Sequence, residues 1–405
     1  MNLLIQEFLK TNSFGDLYEK HKVKSSPSKD GRLISFNYDH IHSNESDKLS
    51  CQCRGLILAR KDGKSVHDLD GFTFENNKRN ISNIIFGKTE VVSYGFDRFF
   101  NYNQKDTIDW SDKINIYEKL DGTCIFLYYY NGWNIATRSS PSADIPIEKT
   151  VGNENHTFSS LFKKSLKETI GISFEDYVKT LDKDYTYVYE LTTPLNRVVV
   201  VYNDYRVTLL AARNRKTLLE VDIDSLENLV PKVKKYSFES IHQIVVYVNS
   251  LNPIENEGVV IRDSKFNRIK VKNIQYVAYN KASDLYGKSD KAIIQLILSE
   301  KEDDIIGVVP EYVSNRISFL KDKLSLFIIG VVSRYNTYLK EVNSYPDSDK
   351  NKRKRFAEIV NLNEKYHAPF FDMYSRNSTI NDFFNKNCKN GEWNESFIEK
   401  LLENI

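Results

Sequence analysis

The sequence predicts an α+β protein in which a domain built on antiparallel sheets is followed by an all-α domain. Up to about residue 280, short runs rich in β-branched and aromatic residues alternate with turn dipeptides. Beyond that point the chain carries long segments with helical periodicity. We therefore predict two domains, 1–280 and 281–405, and a length of 405 residues also favours more than one domain.

The first region combines predicted strands with a few helices. Asn131-Gly132 is typical of a tight hairpin turn and joins two of the strands. Two helices are predicted, at about 157–182 and 237–250. The predicted strands occupy 114–120, 124–130, 133–139, 185–191, 197–202, 206–212, 257–263 and 267–273.

The second region is predicted to be helical throughout. The segment 290–300 is amphipathic and follows Ser289, which is typical of a helix N-cap. The segment 313–342 is long and apolar-periodic and contains no proline. The segments 351–366 and 394–405 continue this pattern.

The charge balance excludes one class of nucleic-acid binder. The chain has 57 Lys and Arg against 55 Asp and Glu, for a net charge of +2. A protein that binds nucleic acid through bulk charge is therefore not expected, whereas basic residues focused in one cleft remain compatible with this total.

The location expected from composition is cytoplasmic, in the cytoplasm of the host if the protein is viral. No apolar run approaches the roughly 18 residues of a membrane helix, and the first residues do not resemble a secretory signal. Four cysteines in 405 residues do not form a disulfide framework, which favours a reducing compartment.

Two local clusters have competing interpretations. The basic run is either a solvated helix start or a contact for RNA phosphates; it comprises Lys350, Lys352, Arg353, Lys354 and Arg355. His40 and His42, followed by Cys51 and Cys53, are possible zinc ligands, but their spacing does not match the common zinc fingers. We interpret these four as ordinary strand and loop residues, and we interpret Cys124 as a packing residue.

The strongest chemical signal surrounds Lys119. This lysine ends a predicted strand and precedes an Asp121-Gly122 turn, which would hold it at the mouth of a sheet. Lys270 and Lys272 lie two residues apart on another strand, so both project from the same face. Nearby cations are expected to lower the pKa of Lys119, which must be neutral to act as a nucleophile.

Two carboxylates complete the predicted constellation. Glu190 ends one strand, and Glu257 begins the strand that pairs with the Lys270 strand. Cations neutralise phosphate oxygens, while carboxylates bind ribose hydroxyls or magnesium. The set therefore suits a nucleoside triphosphate with a divalent metal.

In this order, the motifs resemble those of the covalent nucleotidyltransferases, which include ATP-dependent RNA and DNA ligases and mRNA capping enzymes. Lys-Leu-Asp-Gly at 119–122 is similar to their motif I, and Tyr-Glu-Leu at 189–191 to motif III. Glu-Gly-Val-Val at 257–260 is similar to motif IV, and Lys-Val-Lys at 270–272 to motif V. The resemblance implies a nucleotidyltransferase fold of the ATP-grasp-like ligase type in the first domain.

Finer matches resemble the bacteriophage T4 RNA ligase 1 family over about 50–280. They are Cys-Arg-Gly-Leu at 53–56, the segments 97–104 and 193–202, and Tyr276. The helical second domain agrees in kind, and its position implies that it selects the RNA. The family arginine that contacts ATP phosphates corresponds to Arg54.

The resemblance implies an ATP-dependent RNA ligase. Lys119 would attack the α-phosphate of ATP, AMP would pass to an RNA 5′-phosphate, and a 3′-hydroxyl would then displace it. Glu190 would bind the ribose or another part of the nucleotide, and the cofactor would be Mg²⁺, with Mn²⁺ able to substitute. The expected partner is RNA with 5′-phosphate and 3′-hydroxyl ends, such as cleaved tRNA in RNA repair. A separate kinase–phosphatase would heal the ends, and no membrane partner is expected.

The remaining roles are also implied by the resemblance. Glu257 would hold the metal, and Lys270 and Lys272 would stabilise the α-phosphate. Arg98 and Arg138 stand where such an enzyme usually has lysines. An arginine neutralises phosphate through a planar fork, so its contact differs in geometry. Tyr276 corresponds to a tyrosine of the nucleotide site.

Two alternative functions agree less well with the sequence. DNA ligases and GTP-using capping enzymes normally carry an oligonucleotide-binding β-barrel after motif V, whereas this chain turns helical there. A non-catalytic RNA-binding protein has no need of a nucleophile, and Lys119 is present together with both carboxylates.

Overall fold

The computed structural model describes residues 2–39, 41–75, 78–102, 104–147, 156–346, 348–389 and 392–405. The chain divides into two compact units, Met1–Val277 and Ala278–Ile405. The fold contains α and β elements, with mainly antiparallel sheets and a helical C-terminal region, as predicted. Among the described residues, no helix has the length and apolar character needed to cross a membrane.

The first unit contains most of the strands. Those before the candidate nucleophile are β1 Val23–Pro27, β2 Leu33–Tyr38, β3 Arg54–Arg60, β4 Thr73–Glu75, β5 Lys78–Asn80, β6 Thr89–Ser93 and β7 Phe100–Asn101. The later ones are β8 Asn115–Lys119, β9 Thr123–Tyr129, β10 Trp133–Thr137, β11 Tyr185–Thr192, β12 Arg206–Asn214, β13 Glu220–Val221, β14 Lys235–Tyr236, β15 Gly258–Arg262 and β16 Arg268–Lys272.

Helices cover parts of these sheets. The α-helices are α1 Leu4–Phe8, α2 Phe14–His21, α3 Lys48–Gln52, α4 Phe158–Ile170, α5 Phe174–Tyr177, α6 Ile241–Ser250 and α7 Ile274–Lys288. The 3₁₀ turns are Val66–Asp68, Val178–Thr180, Pro194–Asn196 and Ile223–Ser225.

Three larger sheets organise the first unit. One has four strands in the order β1-β2-β3-β6, and two have five strands, in the orders β10-β9-β11-β12-β13 and β14-β8-β15-β16-β7. All their pairs are antiparallel except β16 with β7. The predicted hairpin turn is confirmed, because Asn131 and Gly132 both have the positive φ angles that such turns require.

Two sequence predictions in this unit are wrong in detail. The segment 197–202 is not a strand, because the amides of Val199 and Val200 donate to the Asp121 carboxylate instead of to a neighbouring strand. The helix predicted at 157–182 breaks at Gly171, whose φ of 78° ends α4 in a left-handed conformation. Ser173 then caps the next helix through the amide of Asp176.

The second unit is helical around its own apolar core. Its helices after α7 are α8 Asp290–Leu298, α9 Asp303–Ile306, α10 Glu311–Asn343, α11 Asp349–Asn363, α12 Ala368–Arg376, α13 Ile380–Asn385 and α14 Glu395–Leu402. A short hairpin pairs β17 Cys388–Lys389 with β18 Glu392–Trp393. Ser289 caps α8 as predicted, since its side chain accepts from the amide of Ala292.

The predicted helices of this unit coincide with α8, α10, α11 and α14. Each buries an apolar stripe, such as Ile317, Leu320 and Leu324 on α10. Helices α9, α12 and α13 and the hairpin were not predicted from the sequence. Helix α13 has six residues, which are too few to show a helical period in the sequence. Its start is fixed by an N-cap, in which the Thr379 side chain accepts a hydrogen bond from the amide of Asp382.

Candidate active site

Gly258 lies at the centre of the candidate site. It is paired on β15 with Lys119 of β8 on one side and with Lys272 of β16 on the other. Directly opposed residues of antiparallel strands share a face, so the two lysines flank the glycine. A Cβ at this position would lie 2.1 Å from the carbonyl oxygen of Val271, and φ is 145°. Only glycine therefore lets the three strands meet here.

Glu257 joins the two lysines that flank this glycine. One carboxylate oxygen, Oε2, lies 2.6 Å from Lys119 Nζ, and Oε1 lies 2.7 Å from Lys272 Nζ. The Glu257 side chain is 2% exposed, so both ion pairs form in a poorly solvated environment. The structure thus brings together the predicted nucleophile, the predicted metal ligand and one predicted phosphate contact.

The lysine with the lowered pKa is Lys270, not Lys119. Burial lowers the pKa of Lys270 to about 7, and the charges of Lys272 and Lys119 add to this effect. Burial also acts to lower the pKa of Lys119, but Glu257 and Glu190 outweigh it, so the pKa of Lys119 is raised. The expectation that nearby cations lower the pKa of Lys119 is therefore wrong for this structure, because carboxylates lie closer to its ammonium group.

Asp121 anchors the turn that follows Lys119. Its Oδ2 accepts hydrogen bonds from the amides of Val199 and Val200 at 2.9 and 2.8 Å. Its Oδ1 accepts one from the Tyr276 hydroxyl at 2.7 Å. Tyr276, predicted as a nucleotide contact, is thus positioned as a buried hydroxyl partner of this turn. The sequence pattern placed Asp121 in the turn after Lys119 but did not predict the hydrogen bonds of its carboxylate.

Glu190 holds the same turn from the neighbouring sheet. Its Oε1 accepts from the amide of Gly122 at 3.1 Å. A Cβ at Gly122 would lie 2.3 Å from the carbonyl oxygen of Leu191, so the turn and the strand end are in close contact. Burial raises the pKa of Glu190 to about 8, opposed by Lys119 and assisted by Glu257.

A cavity of about 490 Å³ opens beside Lys119. Four predicted site residues lie on its wall, namely Arg54, Lys119, Arg138 and Glu190. The rest of the wall includes apolar side chains: Phe96, Phe99, Ile145, Phe158, Leu210, Val233 and Val260. The cavity therefore combines charged groups with an apolar surface, as nucleotide sites require.

Arg98 does not line this cavity. Its guanidinium donates to the Ser43 hydroxyl at 2.7 Å and lies 4.3 Å from the centre of the Tyr38 ring. Arg138 lies 5.6 Å from the centre of the same ring, so both arginines lie close to Tyr38. The nucleotide contact predicted for Arg98 stays a prediction.

Arg268 is a cavity residue that the sequence analysis missed. Its guanidinium is held by the buried carboxylate of Glu220, including one contact of 3.0 Å, and lies 4.8 Å from the centre of the Phe96 ring. Arg54 lies 5.3 Å from the same ring. The signal was available, because Arg268 is two residues before Lys270 on one strand and so shares its face.

The residues present fit an anionic nucleotide. Arg54 Nη1 is buried and has no hydrogen-bond partner among the described residues. Such a donor is available to bind a ligand. Lys270 lies 5.5 Å from the centre of the Phe99 ring and has no ion-pair partner within the described ranges. Both groups can be neutralised by phosphate oxygens.

The fit to a metal rests on carboxylate oxygens. Glu257, the predicted metal ligand, supplies oxygen donors of the kind that Mg²⁺ prefers. Within the described part of the chain, no group of three or more His, Cys, Asp and Glu side chains is arranged to hold a metal ion. His40, considered for zinc with His42, lies outside the described residues.

Comparison with known families agrees with the geometry. A family model described as RNA ligase, of the T4 RNA ligase 1 type, matches residues 52–276. The chain belongs to this RNA ligase family. The resemblance inferred from the motifs is confirmed, and the matched range of this family member contains Lys119 and every other predicted site residue.

Two relatives of this RNA ligase family member come from viruses. A protein of Autographa californica nuclear polyhedrosis virus, assigned as a bifunctional polynucleotide kinase/RNA ligase, is 24% identical over 90% of this chain and 51% of its own length. An RNA ligase of Rhodothermus phage RM378 is 27% identical over 45% of this chain and 42% of its own length. The chain thus spans about half the length of these curated relatives. A solved archaeal ATP-dependent RNA ligase is 13% identical, with a TM-score of 0.41 and coverage of 86% of each chain.

The hydroxyl of Tyr276 offers a direct test of the Asp121 anchor. We expect Tyr276→Phe to lower the free energy of unfolding by about 1 kcal/mol, because one buried acceptor loses its donor. Urea unfolding followed by circular dichroism measures this change. Tyr279→Phe is the matched control, since its hydroxyl makes no hydrogen bond among the described residues. Equal unfolding midpoints for the two variants would contradict the anchoring role.

Proposed function

We propose that the protein is an ATP-dependent RNA ligase that joins 5′-phosphate and 3′-hydroxyl ends through lysyl-AMP and adenylated RNA. The observation that carries the proposal is Lys119, which lies on the wall of the cavity and is paired with Glu257 at 2.6 Å. Membership of the RNA ligase family supports the same chemistry. The first unit would then be a nucleotidyltransferase domain of the ATP-grasp-like ligase type.

The proposed position of ATP follows from the lining of the cavity. The base would lie against the apolar wall, which includes Phe158, Val233 and Val260. The phosphates would lie among Arg54, Lys119 and other cations of the site, where charge neutralisation is strongest. Glu190, at the edge of the same cavity, would accept a hydrogen bond from the ribose. Its raised pKa would also allow it to be protonated near pH 7.

Glu257 would hold the metal, and Lys270 and Lys272 would stabilise the α-phosphate. In the present arrangement both oxygens of Glu257 bind lysine ammonium groups, at 2.6 and 2.7 Å. When bound, Mg²⁺ or Mn²⁺ would supply positive charge against the phosphate oxygens. Lys119 must lose a proton before it attacks, because an ammonium group has no free electron pair.

The proposed reaction consists of three displacements at phosphorus. In the first, a bond forms between Lys119 Nζ and the α-phosphorus of ATP, and the bond to the leaving pyrophosphate breaks. In the second, an oxygen of the RNA 5′-phosphate attacks the same phosphorus and releases Lys119. In the third, a 3′-hydroxyl attacks the RNA phosphate, and AMP leaves. Positioning and charge neutralisation dominate such transfers, and the basic cavity supplies both.

The second unit, 278–405, is proposed as the module that selects the RNA, with cleaved tRNA as the substrate. The ends would be prepared by an end-healing activity. The baculovirus relative supports this inference, because its description pairs a polynucleotide kinase with an RNA ligase. Membrane association forms no part of the proposal.

Two measurements test the proposed function. The purified protein is incubated with divalent metal and either ATP or GTP labelled at the α-phosphate. We expect covalent label from ATP alone, whereas label from GTP would favour a capping enzyme. Sealing is then compared on cleaved tRNA, other single-stranded RNA and nicked DNA with matched ends. A preference for nicked DNA would overturn the RNA assignment.

A further inference from the structure

A dense basic segment begins helix α11 in the second unit. Residues 350–357 contain five basic side chains and no acidic one. Helix α11 runs from Asp349 to Asn363, so the basic side chains occupy its first two turns. We call Lys350, Lys352, Arg353, Lys354 and Arg355 the α11 basic patch.

Most members of the α11 basic patch have no counter-ion among the residues that the structure describes. Within the described residues, Lys350, Lys352, Arg353 and Lys354 make no ion pair and no side-chain hydrogen bond. Elsewhere in this unit the long basic side chains are commonly paired. Such pairs are Arg316–Asp290, Lys321–Glu302, Arg334–Glu364 and Lys386–Asp372. Within the described part of the chain, four cations without an ion pair therefore lie close together at the start of α11.

Two features of the patch are electrostatically unfavourable in the isolated protein. The N-terminus of a helix carries partial positive charge, which disfavours cations in the first turns. Lys350 also lies three and four residues before Arg353 and Lys354, and like charges at these spacings repel each other. A bound polyanion would remove both costs, whereas solvent only screens them.

The helix presents this charge on a fixed surface. Phe356 and Val360 are the buried apolar side chains of α11, and their burial sets the rotation of the helix. Lys350, Arg353 and Lys354 are exposed. The Arg355 guanidinium lies 3.7 Å from the centre of the Tyr345 ring, and Tyr345 is 40% exposed. A cation stacked on an exposed aromatic ring is a feature of nucleic-acid-binding surfaces.

We propose that the α11 basic patch binds the phosphate backbone of the RNA substrate, an inference that rests on the proposed RNA ligase function. Lys350, Arg353 and Lys354 each contact a phosphate, and Arg355 with Tyr345 flanks the strand. Backbone contacts of this kind carry no sequence information, so the patch contributes affinity and position rather than base selectivity. The α11 basic patch binds RNA and takes no part in the reaction of Lys119 with ATP.

The test measures equilibrium RNA binding without ATP. The variant Lys350→Ala/Arg353→Ala/Lys354→Ala is compared with Lys365→Ala/Lys389→Ala/Lys400→Ala, which removes the same charge from exposed lysines of the same unit. Fluorescence anisotropy with labelled single-stranded RNA is recorded between about 50 and 300 mM salt. The loss of three phosphate contacts is expected to make the slope of the logarithm of the binding constant against the logarithm of the salt concentration shallower by about 2. At low salt, the affinity is expected to fall by at least about 10-fold.

Three outcomes would overturn the proposal. They are an unchanged salt slope in the patch variant, an equal loss in the control variant, and wild-type binding to anionic phospholipid vesicles but not to RNA. Covalent AMP labelling is measured on the same proteins, and the patch variant is expected to label at the wild-type rate. A wild-type protein that binds RNA but never forms covalent AMP would instead contradict the ligase function, so the two failures are distinguishable.

Discussion

Lys119→Ala is expected to abolish covalent labelling by ATP. Alanine has no amine, so no bond to the α-phosphorus can form at this position. The cavity and the neighbouring cations remain, so ATP can still bind without being cleaved. Incubation with α-labelled ATP and metal, followed by denaturing electrophoresis, measures the covalent product. Mass spectrometry of the wild-type protein is expected to place the AMP on a peptide that contains Lys119.

Lys272→Ala is the matched control for this experiment. Glu257 forms two ion pairs, with Lys119 at 2.6 Å and with Lys272 at 2.7 Å. Lys272→Ala removes the second of them and leaves the candidate nucleophile Lys119 in place. We expect slow labelling by this variant, because the proposed phosphate contact and one ion pair of Glu257 are lost while the amine of Lys119 remains. Labelling of Lys119→Ala at the wild-type rate would show that another residue is the nucleophile.

Gly258→Ala is expected to disrupt the site and to destabilise the sheet. The added Cβ would lie 2.1 Å from the Val271 carbonyl oxygen, so β15 and β16 must separate. The φ of 145° adds strain for any residue with a side chain. We expect a loss of at least about 3 kcal/mol in the free energy of unfolding. AMP labelling should fall by about 100-fold or more, because Glu257 precedes the glycine and sets both lysines.

Gly132→Ala separates the clash from the backbone strain. Gly132 has a similar φ, 133°, but nothing lies within 4 Å of a Cβ built there. This variant is expected to lose only about 1–2 kcal/mol and to keep its labelling activity. Thermal unfolding of both variants gives the comparison. Equal losses of stability would mean that the close approach of β15 and β16 is not what requires the glycine.

Much of the candidate site could be predicted from local patterns. Lys119, Glu257 and Lys272 come together because they lie at the ends of neighbouring strands, and alternation along a strand fixes the faces of Lys270 and Lys272. The helices of the second unit were predictable for a similar reason, since long apolar periods determine which face is buried. Short elements such as α13 have no such period.

The network around Asp121 could not be predicted in this way. Val199 and Val200 belong to a β-branched run that favours a strand by propensity. A buried carboxylate 78 residues earlier in the chain captures both amides, and that long-range contact overrides the propensity. Tyr276 lies 155 residues after Asp121 in the sequence, so local patterns could not predict this hydrogen bond either.

By itself, the sequence determined the family, and it predicted the two-part organisation and the candidate nucleophile with its ionic neighbours, because these depend on local periods and on short motifs in a fixed order. Only the tertiary structure decided the electrostatic environment of these residues. It placed Glu257 against Lys119, so that the pKa of Lys119 is raised while that of Lys270 falls to about 7. It also left Arg98 off the cavity wall and put Arg268 on it. The physical reason is that electrostatic energies depend on distance and burial, which chain order alone does not specify.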